Sequence, residues 1–217
     1  MKKRYLGVAL AATLLLSGCS VIDLISGAVP SQSTSPTPTA EPEVETPAED
    51  WPVSLTKAEA GERYLQIVCQ RNDAIGRWDA AWQELEDLVN AGQEPLSDQV
   101  TAVANSARDV FLSTEWEIAL LSDERYTWPD VVEAEIMTII DSNERLLPTL
   151  QTEMNARTVD ELYASVYPEY TAEEQAAAQE VRLKLGLPGD AVSSCIGYET
   201  DAESLYVELQ QHLRDTQ

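Results

Sequence analysis

The chain has 217 residues, 38 of them acidic and 14 basic, for a net charge of −24 with its one histidine neutral. From Trp51 onward no basic patch exists that would neutralise phosphates, which argues against nucleic acid as a partner and against attraction of that part to an anionic lipid surface. A lone histidine and three cysteines leave little material for a histidine-based proton relay or a zinc centre.

Lys2, Lys3 and Arg4 come first, then an uncharged run from Leu6 to Leu16, then the small residues Ser17 and Gly18 ahead of Cys19. A positive start, an apolar run shorter than the roughly 20 residues of a membrane-spanning helix, and small residues at its end make a secretory signal. The stretch Leu16-Ser17-Gly18-Cys19 resembles the lipobox of bacterial lipoproteins, a likeness confined to this N-terminal segment. It implies cleavage before Cys19, a diacylglycerol thioether on the Cys19 sulfur with palmitate-type acyl chains, and attachment to the cell membrane with the rest of the chain facing the extracytoplasmic side. Two or more acyl chains hold stably where one is marginal, since each buried methylene contributes about 0.8 kcal/mol.

After Cys19 a short apolar patch (Val21, Ile22, Leu24, Ile25) gives way to SQSTSPTPTAEPEVETPAED, residues 31–50. Proline with Ser, Thr and Glu cannot bury enough apolar surface to fold, so residues 19–53 are expected to form a disordered tether. Extended at about 3.1 Å per residue it would reach roughly 110 Å. The chain thus divides into a signal peptide (1–18), a lipidated linker (19–53) and an acidic domain (54–217). From Trp51 onward 32 acids face 11 bases, a net charge of −21.

From Thr56 the pattern takes a helical period. Tyr64, Val68, Ile75, Trp78, Trp82, Leu85 and Val89 form one stripe, opened by the capping box Thr56 to Glu59 and stopped by Asn90-Ala91-Gly92. A second stripe runs through Leu96, Val100, Val103, Ala107, Val110 and Leu121. A third runs through Val132, Ile136, Ile139, Ile140, Leu147, Leu150 and Met154, entered by Pro129, with Pro148 expected to kink or end it near Leu147. Thr158, Thr171 and Thr200 each precede a glutamate by three residues, three further capping boxes ahead of shorter helices. No stretch alternates strictly between apolar and polar residues. The fold class is therefore all-α: a bundle of three longer helices plus two or three shorter ones, after the N-terminal tether.

With Cys19 used for lipidation, Cys69 in the first helix and Cys195 before the last are left as an even pair. An exported protein meets no glutathione pool, so these two are expected to form a disulfide.

Catalytic signatures are sparse. His212, near the end of the last helix, suits the helix dipole better than a reaction. Ser54-Leu55-Thr56-Lys57 matches the Ser-x-x-Lys pattern of penicillin-binding proteins, but without its companion elements, and Thr56 is better explained as a helix cap. Thirty-two acids guarantee close carboxylate pairs by number alone, which removes their weight as a glycosidase signal. Trp78 and Trp82 read as core. Tyr163, Tyr167 and Tyr170, in LYASVYPEY, are broken by Pro168 and cannot all be buried as one helical stripe; with Trp128 they form the candidate interaction patch.

The expected function is that of a membrane-anchored lipoprotein, without enzymatic activity, cofactor or metal site, whose domain is a binding module for an envelope protein or a glycan. The alternatives are a carboxylate-based cell-wall glycan hydrolase and a low-affinity divalent cation binder.

Overall fold

The computed structural model describes residues 51–216. The expectations for the signal peptide, Cys19 and the spacer fall on residues 1–50, outside the described residues. In chain order the elements are β1 (Val53–Ser54), α1 (Lys57–Asn90), α2 (Ser97–Leu121), β2 (Tyr126–Thr127), α3 (Asp130–Met154), α4 (Val159–Tyr163), α5 (Ala172–Leu185), α6 (Ala191–Ser194) and α7 (Asp201–Asp215). The described residues form an all-α bundle in which three long helices set the frame.

Local chemistry explains most of the boundaries. Thr56 caps α1 through the Glu59 N–H while Glu59 accepts the Thr56 N–H at 2.8 Å, and the same reciprocal pair starts α4 at Thr158 and α5 at Thr171. α5 stops at Gly186, whose φ of 78° lies in the left-handed region, and the Leu187 N–H closes the turn on Arg182 O at 2.8 Å. The Leu187 side chain then lies against α1 at Gly61, where an added Cβ would come within 3.1 Å of it.

Two boundaries differ from the sequence reading. Pro148 does not end α3, which continues to Met154 because the turn beyond it carries buried Thr149, Leu150 and Glu153, whose packing outweighs one lost backbone hydrogen bond. Thr200 does not cap α7 with its side chain. Gln70 of α1 does that work instead, its Oε1 accepting the Glu203 N–H at 3.0 Å.

The main core lies where α1, α2, α3, α5 and α7 meet, around Tyr64, Ile67, Leu120, Val132, Ile136 and Val181. A second apolar cluster, Leu85, Val100, Val103 and Leu162, fills the space under α4, and a third joins Ala74, Val110 and Leu150. The Cys69–Cys195 disulfide closes 126 residues and ties α1 to the segment ahead of α7.

Residues 51–53, assigned to the linker by composition, belong to the fold. Val53 N–H donates to Arg125 O at 2.8 Å and Leu55 N–H to Thr127 O at 3.0 Å, so β1 pairs in parallel with β2 in the α2–α3 connection. Trp51 packs edge-on to Tyr126, ring centroids 5.6 Å apart, with the Arg125 guanidinium 5.5 Å from its ring. Beneath them Asp123 is held by the fork of Arg125 (2.7 and 2.9 Å) and by Arg63 at 3.5 Å. Arg63 also stacks on Tyr126, 4.2 Å from the ring centroid.

Candidate functional site

α3 presents Thr149 and Glu153 toward the α4–α5 connection and α1, with Leu146 and Leu150 packed beside them against Ala74 and Val110. Glu153 has 0% of its surface exposed. Its Oε2 accepts the indole N–H of Trp78 at 3.0 Å and that of Trp82 at 3.4 Å, and its Oε1 accepts the hydroxyl of Tyr167. The two tryptophans stand one turn apart on α1 and so aim their N–H groups at one point. Tyr167 reaches the same point because Thr149 Oγ1 donates to Val166 O at 2.6 Å, pinning the connection to α3.

The aromatic rings pair across this carboxylate. Trp78 lies 6.1 Å from Tyr167 and Trp82 lies 5.7 Å from Tyr163, both tilted. Trp78 and Trp82 are half-buried rather than core residues: each has its polar edge on Glu153 and part of its body at the surface. Tyr163 is 42% exposed and the neighbouring Val166 is 81% exposed.

The structure therefore brings together two of the four residues of the sequence-derived patch. Tyr170 goes elsewhere: its hydroxyl reaches Ser142 O at 3.4 Å and the Arg145 guanidinium sits 5.3 Å from its ring. Burial pushes the Tyr170 phenol above its ordinary pKa. Trp128 corrects the expectation outright, because it is a core residue whose Nε1 donates to Leu121 O at 3.0 Å. That carbonyl is one of the orphan acceptors at the end of α2, and the α2–α3 connection folds Trp128 back onto it. Trp128 stands just ahead of α3 and Glu153 near its end, and the 23-residue separation from Asp130 to Glu153 rises roughly 35 Å at 1.5 Å per residue.

No motif in the sequence marks Glu153 or Glu117; Glu117 occupies a position of the second apolar stripe, one turn ahead of Leu121, and Glu153 lies one residue beside the third. Glu117, on α2, is fully buried and accepts the Asn143 amide N–H at 2.8 Å, with Arg71 3.9 Å from its second oxygen. Burial drives its pKa up, and Arg71 and Asn143 only partly counter this. A shallow concavity of about 360 Å³ adjoins the Glu153 cluster, lined by Gln151, Thr152, Asn155, Ala156, Glu161 and Ala164. None of the four aromatic rings lines it.

Among the described residues no group of three or more His, Cys, Asp or Glu side chains is placed to hold a metal ion, and no helix is long and apolar enough to cross a membrane. Trp78, Trp82 and Tyr167, which all donate to the Glu153 carboxylate, are neutral side chains anchored in the fold. Compared with known proteins, the chain matches no family model, no curated sequence and no solved structure.

Proposed function

We propose that the chain is a lipoprotein held at the extracytoplasmic face of the cell membrane through Cys19, and that its acidic helical domain is a non-catalytic binding module for an envelope protein or glycan. The observation that carries this reading is the pairing of Cys69 with Cys195 in the domain downstream of Leu16-Ser17-Gly18-Cys19. Disulfides persist in oxidising surroundings outside the cytoplasm, which is where a lipobox sends a chain. The bond also uses both remaining cysteines and leaves Cys19 for acylation.

The surface around Tyr163 and Val166 supports binding there. It offers apolar area on a connection pinned to α3, so a partner meets it already ordered. The surplus of acids favours a partner that is basic or neutral.

Cell fractionation and acyl labelling test the anchor. Wild type should enter the detergent phase and incorporate a palmitate analogue, and Cys19→Ala should do neither. Equal recovery of both proteins in the detergent phase would overturn the proposal.

A further inference from the structure

α7 lies along the groove between α1 and α2 and begins partway up it. Past the N-terminal end of α7 the groove holds a half-open pocket of about 230 Å³. Gln70, Ala74 and Arg77 of α1, Asp109 and Trp116 of α2, and Glu203 of α7 line it. The α1 and α2 residues recur at helical spacings of 3, 4 and 7, so each helix turns one continuous stripe toward the space.

The polar groups here are held in place with hydrogen-bonding capacity left over. Gln70 Oε1 accepts the Glu203 N–H at 3.0 Å, which fixes the amide and leaves its NH₂ as the remaining donor. The Arg77 guanidinium is steadied by Asp73 on its own helix and by Asp109 at 3.6 Å, with more than half of the Arg77 and Asp109 side chains exposed. Trp116 is braced by Tyr206, ring centroids 6.3 Å apart. Trp78, Trp82 and Trp128 each give their indole N–H to an acceptor, whereas among the described residues nothing accepts that of Trp116. Nor is that N–H among the buried polar atoms left without a partner, so it reaches solvent.

We infer that this pocket binds a single pyranose ring of a glycan. An indole beside interleaved amide, guanidinium and carboxylate groups suits a ring with an apolar C–H face and hydroxyls around its edge, each of which donates and accepts. The space falls below the roughly 300–1,000 Å³ of sites for drug-sized ligands, which matches one ring rather than an extended molecule. Asp109 and Glu203 oppose an anion, and Arg77 already occupies Asp109, which leaves a free cation one carboxylate. The site is separate from the Glu153 cluster and does not depend on lipidation.

The test is NMR on the full chain in polyoxyethylene micelles, which carry no sugar, with the indoles of its five tryptophans labelled with ¹⁵N. Trp116→Phe assigns the Trp116 signal by its disappearance. The disaccharide chitobiose should move that signal saturably and leave those of Trp78, Trp82 and Trp128 in place. Arg77→Ala, a change at an exposed side chain, should bind about tenfold more weakly, as expected for one charge-assisted hydrogen bond. Three outcomes would overturn the inference: a stationary Trp116 signal at saturating sugar, equal binding by wild type and Arg77→Ala, or a shift caused by spermidine in place of the sugar.

Discussion

Trp78 and Glu153, 75 residues apart in the chain, are joined by a 3.0 Å hydrogen bond across the α1–α3 seam. With Trp82 and Tyr167 also donating, the carboxylate organises three aromatic side chains from two different parts of the fold. Glu153→Ala should remove this acceptor and leave three donors without it, lowering stability by about 3 kcal/mol in urea unfolding. Trp82→Ala should lower it by a similar amount, about 3 kcal/mol, through lost packing over Leu85. A change under about 0.5 kcal/mol for either would show that the cluster is not structural.

Glu117 should make stability depend on pH. Its folded pKa lies above the ordinary glutamate value because burial disfavours the charge. Between the unfolded and folded pKa values the native state holds more protons than the unfolded chain, so this group's contribution improves as pH falls through the folded pKa. Unfolding of wild type and Glu117→Gln, followed from pH 7 downward, should show wild type gaining relative to the variant. A constant difference across that range would refute the assignment.

Asp123 sits between two guanidinium groups, one of them on the buried Arg63. Burial pulls the Arg63 pKa down despite the attraction of nearby groups, and removing Asp123 would leave the buried guanidinium charge without that partner. Asp123→Ala should destabilise the domain by about 3 kcal/mol or more, measured as a shift of the denaturant midpoint at unchanged slope.

The disulfide should matter in proportion to the loop it closes. For 126 residues the chain-entropy relation gives about 5 kcal/mol. The Cys69→Ala, Cys195→Ala double variant should therefore unfold at markedly lower urea than the oxidised wild type, and reductant should narrow the gap between them.

Val166→Asp should separate binding from folding. Its side chain is 81% exposed and only its backbone carbonyl is used, by Thr149, so stability should stay within about 0.5 kcal/mol of wild type. Crosslinking in intact cells should then show fewer products with the envelope partner. An unchanged crosslinking pattern would remove this surface from the proposed function.

How far the sequence disclosed these features depends on whether each was local. Thr56, Thr158 and Thr171 cap their helices through a glutamate three residues on, a relation contained within one turn. Thr200 carries the same local signal and fails, because Gln70, 133 residues away from Glu203, takes the N–H that the box would serve. Glu153 was hidden by helical drift: a stripe read through Leu150 to Met154 passes one residue beyond it, and the structure buries Glu153 while leaving Met154 half-buried. Trp128 carries the sequence sign of a surface aromatic because its loop position is local, whereas its acceptor, Leu121 O, is set by how the α2–α3 connection folds back. Polar residues at stripe positions, Glu117 and Asn143 among them, were the one sequence sign of a buried network, and they gain meaning only once α2 and α3 are known to face each other.

The pairing of Val53–Ser54 with Tyr126–Thr127 decides where mechanical load enters the domain. A pull on the chain ahead of Trp51 reaches the Val53 and Leu55 hydrogen bonds, and the Trp51 to Arg125 contact, before it reaches Thr56. Tension is passed into the α2–α3 connection, which Asp123 fastens to α1 through Arg63. The first turn of α1, whose leading N–H groups have no partner within the helix, thus stands behind these contacts in the line of load.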